Sequence, residues 1–133
     1  LFGMEYGQFV RGCHLGVFPS YYEPWGYTPL EAMASGVPAI TSDLAGFGDY
    51  VLRNIPNPSE KGIYVVNRYH KGFHEAADQL ASMMFDFVKQ GRKERIIQRN
   101  KVEATAEHFD WSNLAVHYQQ SYHLALERKF GNI

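Results

Sequence analysis

Two carboxylates frame the stretch of this sequence best suited to chemistry. Ser20-Tyr21-Tyr22-Glu23-Pro24-Trp25-Gly26-Tyr27-Thr28-Pro29-Leu30-Glu31 leaves a short apolar run and enters what reads as a helix. Gly26 allows backbone to approach a ligand closely. A helix beginning at Thr28 would present unpaired N–H groups and a positive dipole end, both of which favour phosphate. Glu23 and Glu31 flank that point, so a sugar nucleotide fits the arrangement. Its phosphate would sit at the helix tip, with one carboxylate on sugar hydroxyls and the other on a ribose diol. The same residues have a plainer explanation: Thr28 caps the helix, Glu31 closes a capping box with it, and Glu23 is a solvated loop acid. Spacing alone leaves both open.

The flanking pattern predicts the elements that would hold these residues. Residues 6–12 read as a short helix with Phe9 and Val10 inward, and residues 15–18 as a buried strand closed by Pro19. Thr28, with Pro29 at the first helical position, starts a helix that Gly36 stops. Residues 37–41 form a second strand. A glycine-rich turn at residues 45–48 leads into a helix to about Asn54, and a lone Gly46-Phe47-Gly48 reads as a tight turn near the cleft in preference to a phosphate loop. Residues 63–66 form a third strand. Beyond residue 70 proline disappears and helical spacing takes over. Phe73, Ala77, Leu80, Met84, Phe87 and Val88 mark one amphipathic helix, which Gly91 ends or bends. Residues 92–107 form another. A last helix from Asp110 to about Lys129 is capped by Asp110 or Ser112 and packs through Leu114, Tyr118, Ser121, Tyr122 and Ala125. Strands alternating with helices predict an α/β fold with a parallel sheet, and ligands bind beyond the carboxyl ends of such strands.

Composition limits the function classes. The chain has 133 residues, 45% hydrophobic and 15% aromatic, enough for one domain with a real core. The single Cys13 excludes a disulfide framework and a Cys-based zinc site. No apolar run approaches the roughly 18–20 residues of a membrane span, and Leu1-Phe2-Gly3-Met4-Glu5-Tyr6 has no basic leader region, so a soluble cytoplasmic protein is expected. Leu1 in place of methionine suggests a piece of a longer chain. His70 and His74 are four apart but surround Gly72 without a third ligand, and read as a surface pair. The formal net charge of -1 hides an asymmetry. Residues 1–60 hold two basic and six acidic side chains, whereas Lys89, Arg92, Lys93, Arg95, Arg99 and Lys101 face only Glu94 within residues 89–101. That segment is either an exposed basic face or, through Arg95 and Arg99 at i,i+4, an anion site. Neighbouring Phe87 and Phe109 fit a core stripe better than a nucleic-acid stacking platform.

The run Gly12-Cys13-His14-Leu15-Gly16-Val17-Phe18-Pro19-Ser20-Tyr21-Tyr22-Glu23-Pro24-Trp25-Gly26-Tyr27-Thr28-Pro29 resembles glycogen synthases of the animal and fungal type. The resemblance continues through Gly46-Phe47-Gly48, Gly62-Ile63-Tyr64, Arg95-Ile96-Ile97-Gln98-Arg99-Asn100 and Asp110-Trp111. It implies a two-lobed GT-B glycosyltransferase with two Rossmann-like halves. This chain would be a partial C-terminal, donor-binding lobe, with the sheet and active-site loop in residues 1–70, a helical segment in residues 71–133, and the N-terminal lobe lying before Leu1. The implied reaction moves glucose from UDP-glucose to the 4-hydroxyl of a growing α-1,4-glucan with retention, without a cofactor or metal, and the fragment alone would be inactive. By resemblance, Glu23 and His14 are the catalytic residues. Tyr6 stacks on uracil, Trp25, Gly26, Tyr27 and Thr28 contact glucose and diphosphate, and Glu31 holds the ribose. Arg92, Arg95 and Arg99 would bind glucose 6-phosphate, although Lys93, Lys101 and Ala104 dilute the family's arginine cluster. The implied partners are the nucleotide sugar, the glucan acceptor, the N-terminal lobe and other copies in a homo-oligomer, with no nucleic acid and no membrane. The competing expectations are a non-catalytic sugar-nucleotide or phosphosugar module, and a related glucan synthase using ADP-glucose.

Overall fold

The computed structural model describes residues 3–131, so Leu1 lies outside the described residues. Three strands, β1 (Gly16–Val17), β2 (Ala39–Ser42) and β3 (Ile63–Val66), form a parallel sheet in the order β1-β2-β3. The helices are α1 (Tyr6–Gly12), α2 (Tyr27–Ala34), α3 (Gly46–Asn54), α4 (Phe73–Lys89), α5 (Arg92–Ala106) and α6 (Trp111–Phe130), with single 3-10 turns at Pro58–Lys61 and Glu107–Phe109. The parallel arrangement follows from the connections, since α2 and α3 each return the chain to the edge where the preceding strand began. Ala39 pairs with Gly16 on one side and Ile63 on the other.

Side chains alternate across the sheet as a two-residue period demands. Ala39 and Ile63 join Met33, Phe47, Val51 and Val102 on one face, whereas Ile40 and Val66 meet Ala76, Leu80 and Met83 on the other. Helices α2, α3 and α5 therefore cover one face and α4 the opposite one, which is the Rossmann-like α/β layering expected. Fully buried side chains such as Met33, Ile40 and Phe47 each contribute about 1.5–3 kcal/mol through removal from water.

Several local expectations need correction. β1 is half-buried because it is an edge strand, and only β2 is buried throughout. On α1 only Val10 packs inward, and Phe9 is exposed. In α4 the buried row is Ala76, Leu80, Met83 and Phe87, while Phe73, Ala77, Met84 and Val88 face outward. Two adjacent apolar rows run along this helix, and the sheet accepts the one that meets Ile40 and Val66. Helix α4 ends at Lys89 with Gln90 as its C-cap, and Gly91 instead starts α5 as its N-cap: its N–H donates to Glu94 Oε2 at 2.7 Å. Asp110 caps α6 by accepting the Ser112 N–H at 2.8 Å, and that bond lowers its carboxyl below the ordinary value. Beyond its first turn α6 runs clear of the sheet. Leu114 is half-buried, but Tyr118, Ser121, Tyr122 and Ala125 are exposed, so the expected stripe is largely uncovered.

The glycine-rich segment 45–48 is the first turn of α3, not a separate loop. A Cβ at Gly48 would collide with the Ser42 carbonyl, and one at Gly46 with the Pro24 carbonyl. Helix α3 thus packs backbone to backbone against the end of β2 and the segment before α2. Gly48→Ala should destabilise the protein by about 1–3 kcal/mol, the usual cost of forcing atoms into a filled site. Leu52→Ala, on the exposed side of the same helix, should stay within about 0.5 kcal/mol of wild type. Urea unfolding midpoints of the two variants check the contrast.

Candidate active site

The carboxyl ends of the three strands meet at one edge. From β1 the chain runs out through Phe18, whose N–H donates to the Ile40 carbonyl at 2.8 Å. It then crosses the ends of β2 and β3 as a strap, residues 19–26, before entering α2. The strap is held by backbone. Glu23 and Ala45 form a parallel bridge, the Gly46 N–H donates to the Glu23 carbonyl at 3.0 Å, and the Phe47 N–H donates to the Trp25 carbonyl at 2.7 Å. An open cavity of about 490 Å³ lies over the strap, lined by Phe18, Pro19, Ser20, Tyr22, Glu23 and Thr28 among others.

Helix α2 begins at Tyr27 with Gly26 as its N-cap, two residues earlier than expected. Gly26 turns the chain with φ of 114°, a region that only glycine enters at little cost. A Cβ there would lie 3.4 Å from Glu23 Oε2, an ordinary contact, so it is the turn that calls for glycine at this position. Thr28 is the second helical residue and makes no side-chain cap, and Pro29 is the third. The capping box of Thr28 and Glu31 does not form. Glu31 instead accepts a hydrogen bond from the Tyr6 hydroxyl at 3.3 Å. Partial desolvation and the adjacent Glu31 charge raise the Tyr6 phenol above its ordinary value, so it stays a donor at neutral pH.

Glu23 and Thr28 line the cavity over the strap with Gly26 beside Glu23, whereas Glu31, in the second turn of α2, pairs with Tyr6, and neither of these two borders that cavity. His14 is exposed and precedes β1, at the opposite end of that strand from the strap, and it has no side-chain hydrogen bond among the described residues. The Trp25 indole is used in packing, edge-on to Phe47 and Tyr50 at centroid distances of 5.9 and 5.7 Å. With Tyr27, Tyr50, Trp111 and Tyr118 it lines a larger apolar cavity of about 620 Å³ between α2, α3 and α6, which neither carboxylate borders. Among the described residues no three His, Cys, Asp or Glu side chains cluster closely enough to hold a metal ion, and no helix is long and apolar enough to cross a membrane.

Sequence reasoning missed four residues at this edge. Ser20 donates to Glu23 Oε2 at 3.0 Å. Ser42, at the end of β2, donates to the Ser20 carbonyl. Arg68, after β3, donates to the Pro19 carbonyl and lies over the Tyr21 ring, its guanidinium carbon 3.5 Å from the centroid. Asp43 accepts the N–H groups of Arg68, at 2.7 Å, and Tyr69. The signal was their position: each follows the carboxyl end of a predicted strand, where α/β sheets place their sites.

A family model for glycogen synthase matches residues 1–133. The chain belongs to the glycogen synthase family. It is 50% identical over 128 residues to the glycogen [starch] synthase of Caenorhabditis elegans, covering 96% of this chain and 19% of that protein. It is 47% identical over 130 residues to the liver glycogen [starch] synthase of Homo sapiens, covering 98% and 18%. The Neurospora crassa glycogen [starch] synthase is 47% identical over 127 residues, covering 96% and 18%. The chain thus spans less than a fifth of the length of these relatives.

In this glycogen synthase family member the basic helix is α5. Arg99 is half-buried and already engaged: Nη1 donates to the Cys13 carbonyl at 3.2 Å and Nη2 to the Arg11 carbonyl at 3.3 Å. The side chains of Arg92 and Arg95 make no hydrogen bond or ion pair among the described residues. Phe87 and Phe109 are buried, as a core role requires. Arg99 therefore ties α5 to the segment joining α1 and β1, which carries His14. Arg99→Ala should lower stability by about 1–2 kcal/mol through loss of charge-assisted bonds. It should speed amide exchange at residues 11–15 while leaving α4 protected, as measured by hydrogen exchange mass spectrometry.

Proposed function

We infer that this chain forms the donor-binding part of a glycogen synthase, transferring glucose from UDP-glucose to the 4-hydroxyl of an α-1,4-glucan end with retention of configuration. The observation that carries the reading is the placement of two carboxylates, Glu23 and Glu31, on either side of the α2 N-terminus, with Tyr6 against Glu31. Tyr6 supplies a flat ring for uracil, and Glu31 accepts from the ribose hydroxyls. The unpaired N–H groups at the start of α2, beside Thr28, take the diphosphate, whose charge grows as UDP leaves. Trp25, Gly26 and Tyr27 present backbone to the sugar and phosphate, and His14, at the other end of β1 from the strap, has its catalytic assignment from the family resemblance alone. Glu23 lies at the sugar carbon. Two-carboxylate glycosidases use both acids at the reaction centre. Here Glu31 is assigned to binding, so Glu23 acts alone by orienting or electrostatically stabilising a sugar with oxocarbenium character during front-face displacement. The remaining positive charge for the phosphates and the acceptor surface come from outside this chain.

Replacing Glu23 by Ala in the complete enzyme should lower kcat by about 100-fold or more, the scale of a lost electrostatic contribution at the reacting centre. Replacing Glu31 by Ala should instead raise KM for UDP-glucose by about tenfold or more, in keeping with lost charge-assisted bonds to the ribose. Steady-state kinetics with UDP-glucose and a glucan primer separate the two. Near-normal turnover by Glu23→Ala removes its assigned role, and equal use of ADP-glucose removes the donor assignment.

Glucose 6-phosphate is the effector we assign to α5, through Arg92 and Arg95 with Arg99 behind them. Guanidinium groups suit a phosphate because of their forked donors. Titrating the complete enzyme with glucose 6-phosphate should raise both its activity and its melting temperature, and Arg95→Ala should abolish the response. No change in either quantity makes α5 a plain surface helix.

A further inference from the structure

Ser20 stands three residues before Glu23, on the same strap. Its Oγ donates to Glu23 Oε2 at 3.0 Å, and no other side chain among the described residues hydrogen-bonds that carboxylate. The serine is itself fixed at its backbone. The Ser20 N–H donates to the Phe18 carbonyl at 2.9 Å. Its carbonyl accepts from the Ser42 hydroxyl, which is wholly buried. The residue before it is held through the Pro19 carbonyl by Arg68, and the residue after it lies under the same guanidinium. Gly26 lies beside the same oxygen, where a Cβ would sit in ordinary contact at 3.4 Å from Oε2 and 3.5 Å from Cδ.

We propose that Ser20 is a positioning residue for Glu23: its hydroxyl holds Oε2, and so presents Oε1 to the cavity over the strap. A glutamate carries three side-chain rotors, and an unrestrained one spreads its charge over several places. One neutral donor removes that freedom without cancelling the charge, which a cation in the same place would do. Ser20 lines the cavity and is only half-buried, so water can satisfy a lost partner and folding does not depend on the bond. The structural support runs inward, from Ser42 and Arg68 to the Ser20 backbone, and from the Ser20 hydroxyl to Glu23.

This proposal rests on the assignment of Glu23 to the reaction centre, and the test separates the two. In the complete enzyme, Ser20→Ala should lower kcat by about tenfold, the scale expected when a reacting group loses its alignment. KM for UDP-glucose should stay within about twofold, since uniform binding is untouched, and the melting temperature should not change. Ser20→Thr keeps the hydroxyl and should recover most of the lost kcat. In a Glu23→Gln background, Ser20→Ala should cause no further loss, because residues acting as a unit are not additive. Wild-type kcat in Ser20→Ala, or an undiminished loss in the Glu23→Gln background, overturns the proposal while leaving Glu23 in place. Full turnover by Glu23→Gln overturns the parent reading, and this proposal with it.

Discussion

The strap stays in place because two stretches of backbone come closer than side chains would allow. Residues 23–25 pair with residues 45–47 through the bridge of Glu23 to Ala45 and the bonds from Gly46 and Phe47. Any Cβ at Gly46 would occupy the position of the Pro24 carbonyl. This pairing adds an isolated one-residue rung beyond the end of β2. It fixes where α2 begins and where α3 begins, and hence the distance between the carboxylate on the strap and the one in the first turns of α2. Phe47 then anchors the arrangement from below: it is fully buried, and its ring meets Trp25 on one side and Phe109, at 4.9 Å, on the other. The site is thus built on the core and not merely attached to a loop.

The fold was legible where a single physical rule dominates. Strands and helices of the first 66 residues come from apolar runs separated by Gly and Pro, and all three strands appear where expected within two residues at their ends. Legibility failed where two rules gave the same sequence. Thr28-Pro29-Leu30-Glu31 satisfies the pattern of a capping box, but Gly26 and the strap pairing start the helix earlier and free Glu31 for Tyr6. In α4 two apolar rows lie side by side, and only the sheet beneath decides which is buried. In α6 a regular stripe exists in sequence, but nothing among the described residues covers it beyond Leu114. Of the candidate site, Glu23, Gly26 and Glu31 were readable from type and spacing. Ser42, Asp43 and Arg68 were not, because their contacts span 22 to 49 residues and arise only when strand ends are brought together.

The charge asymmetry of the sequence acquires a structural meaning through Arg99. Helix α5 packs on α2, and the forked guanidinium reaches across to the carbonyls of Arg11 and Cys13. A lysine could not hold both acceptors in this geometry. Helix α2 carries Glu31 in its second turn, and the segment held by Arg99 leads from Tyr6 to His14. The basic half of the chain is therefore not a separate surface. It is coupled by direct contact to both segments that flank the acidic half's candidate site, so a change in α5 has two short physical routes to it.

Both carboxylates of the site are oriented by neutral hydroxyls: Glu23 by Ser20 and Glu31 by Tyr6. Neither forms an ion pair among the described residues, where the salt bridges lie on the exposed flanks of α3 and α4 and at the turn before α4. The cation nearest the strap, Arg68, is turned onto the Pro19 carbonyl and the Tyr21 ring. A guanidinium placed against Glu23 would orient it equally well but would neutralise the field that the proposed reaction needs at a sugar becoming positive. A hydroxyl donor fixes direction and leaves the full negative charge in place. In the proposed reading the same logic leaves the donor's phosphates without a cationic partner from the strap, so the α2 N-terminus would supply only the partial charge of its N–H groups. A nucleotide diphosphate held there needs further positive charge, and in the proposed architecture that comes from across the cleft, which makes closure of the cleft a condition for stabilising the leaving group.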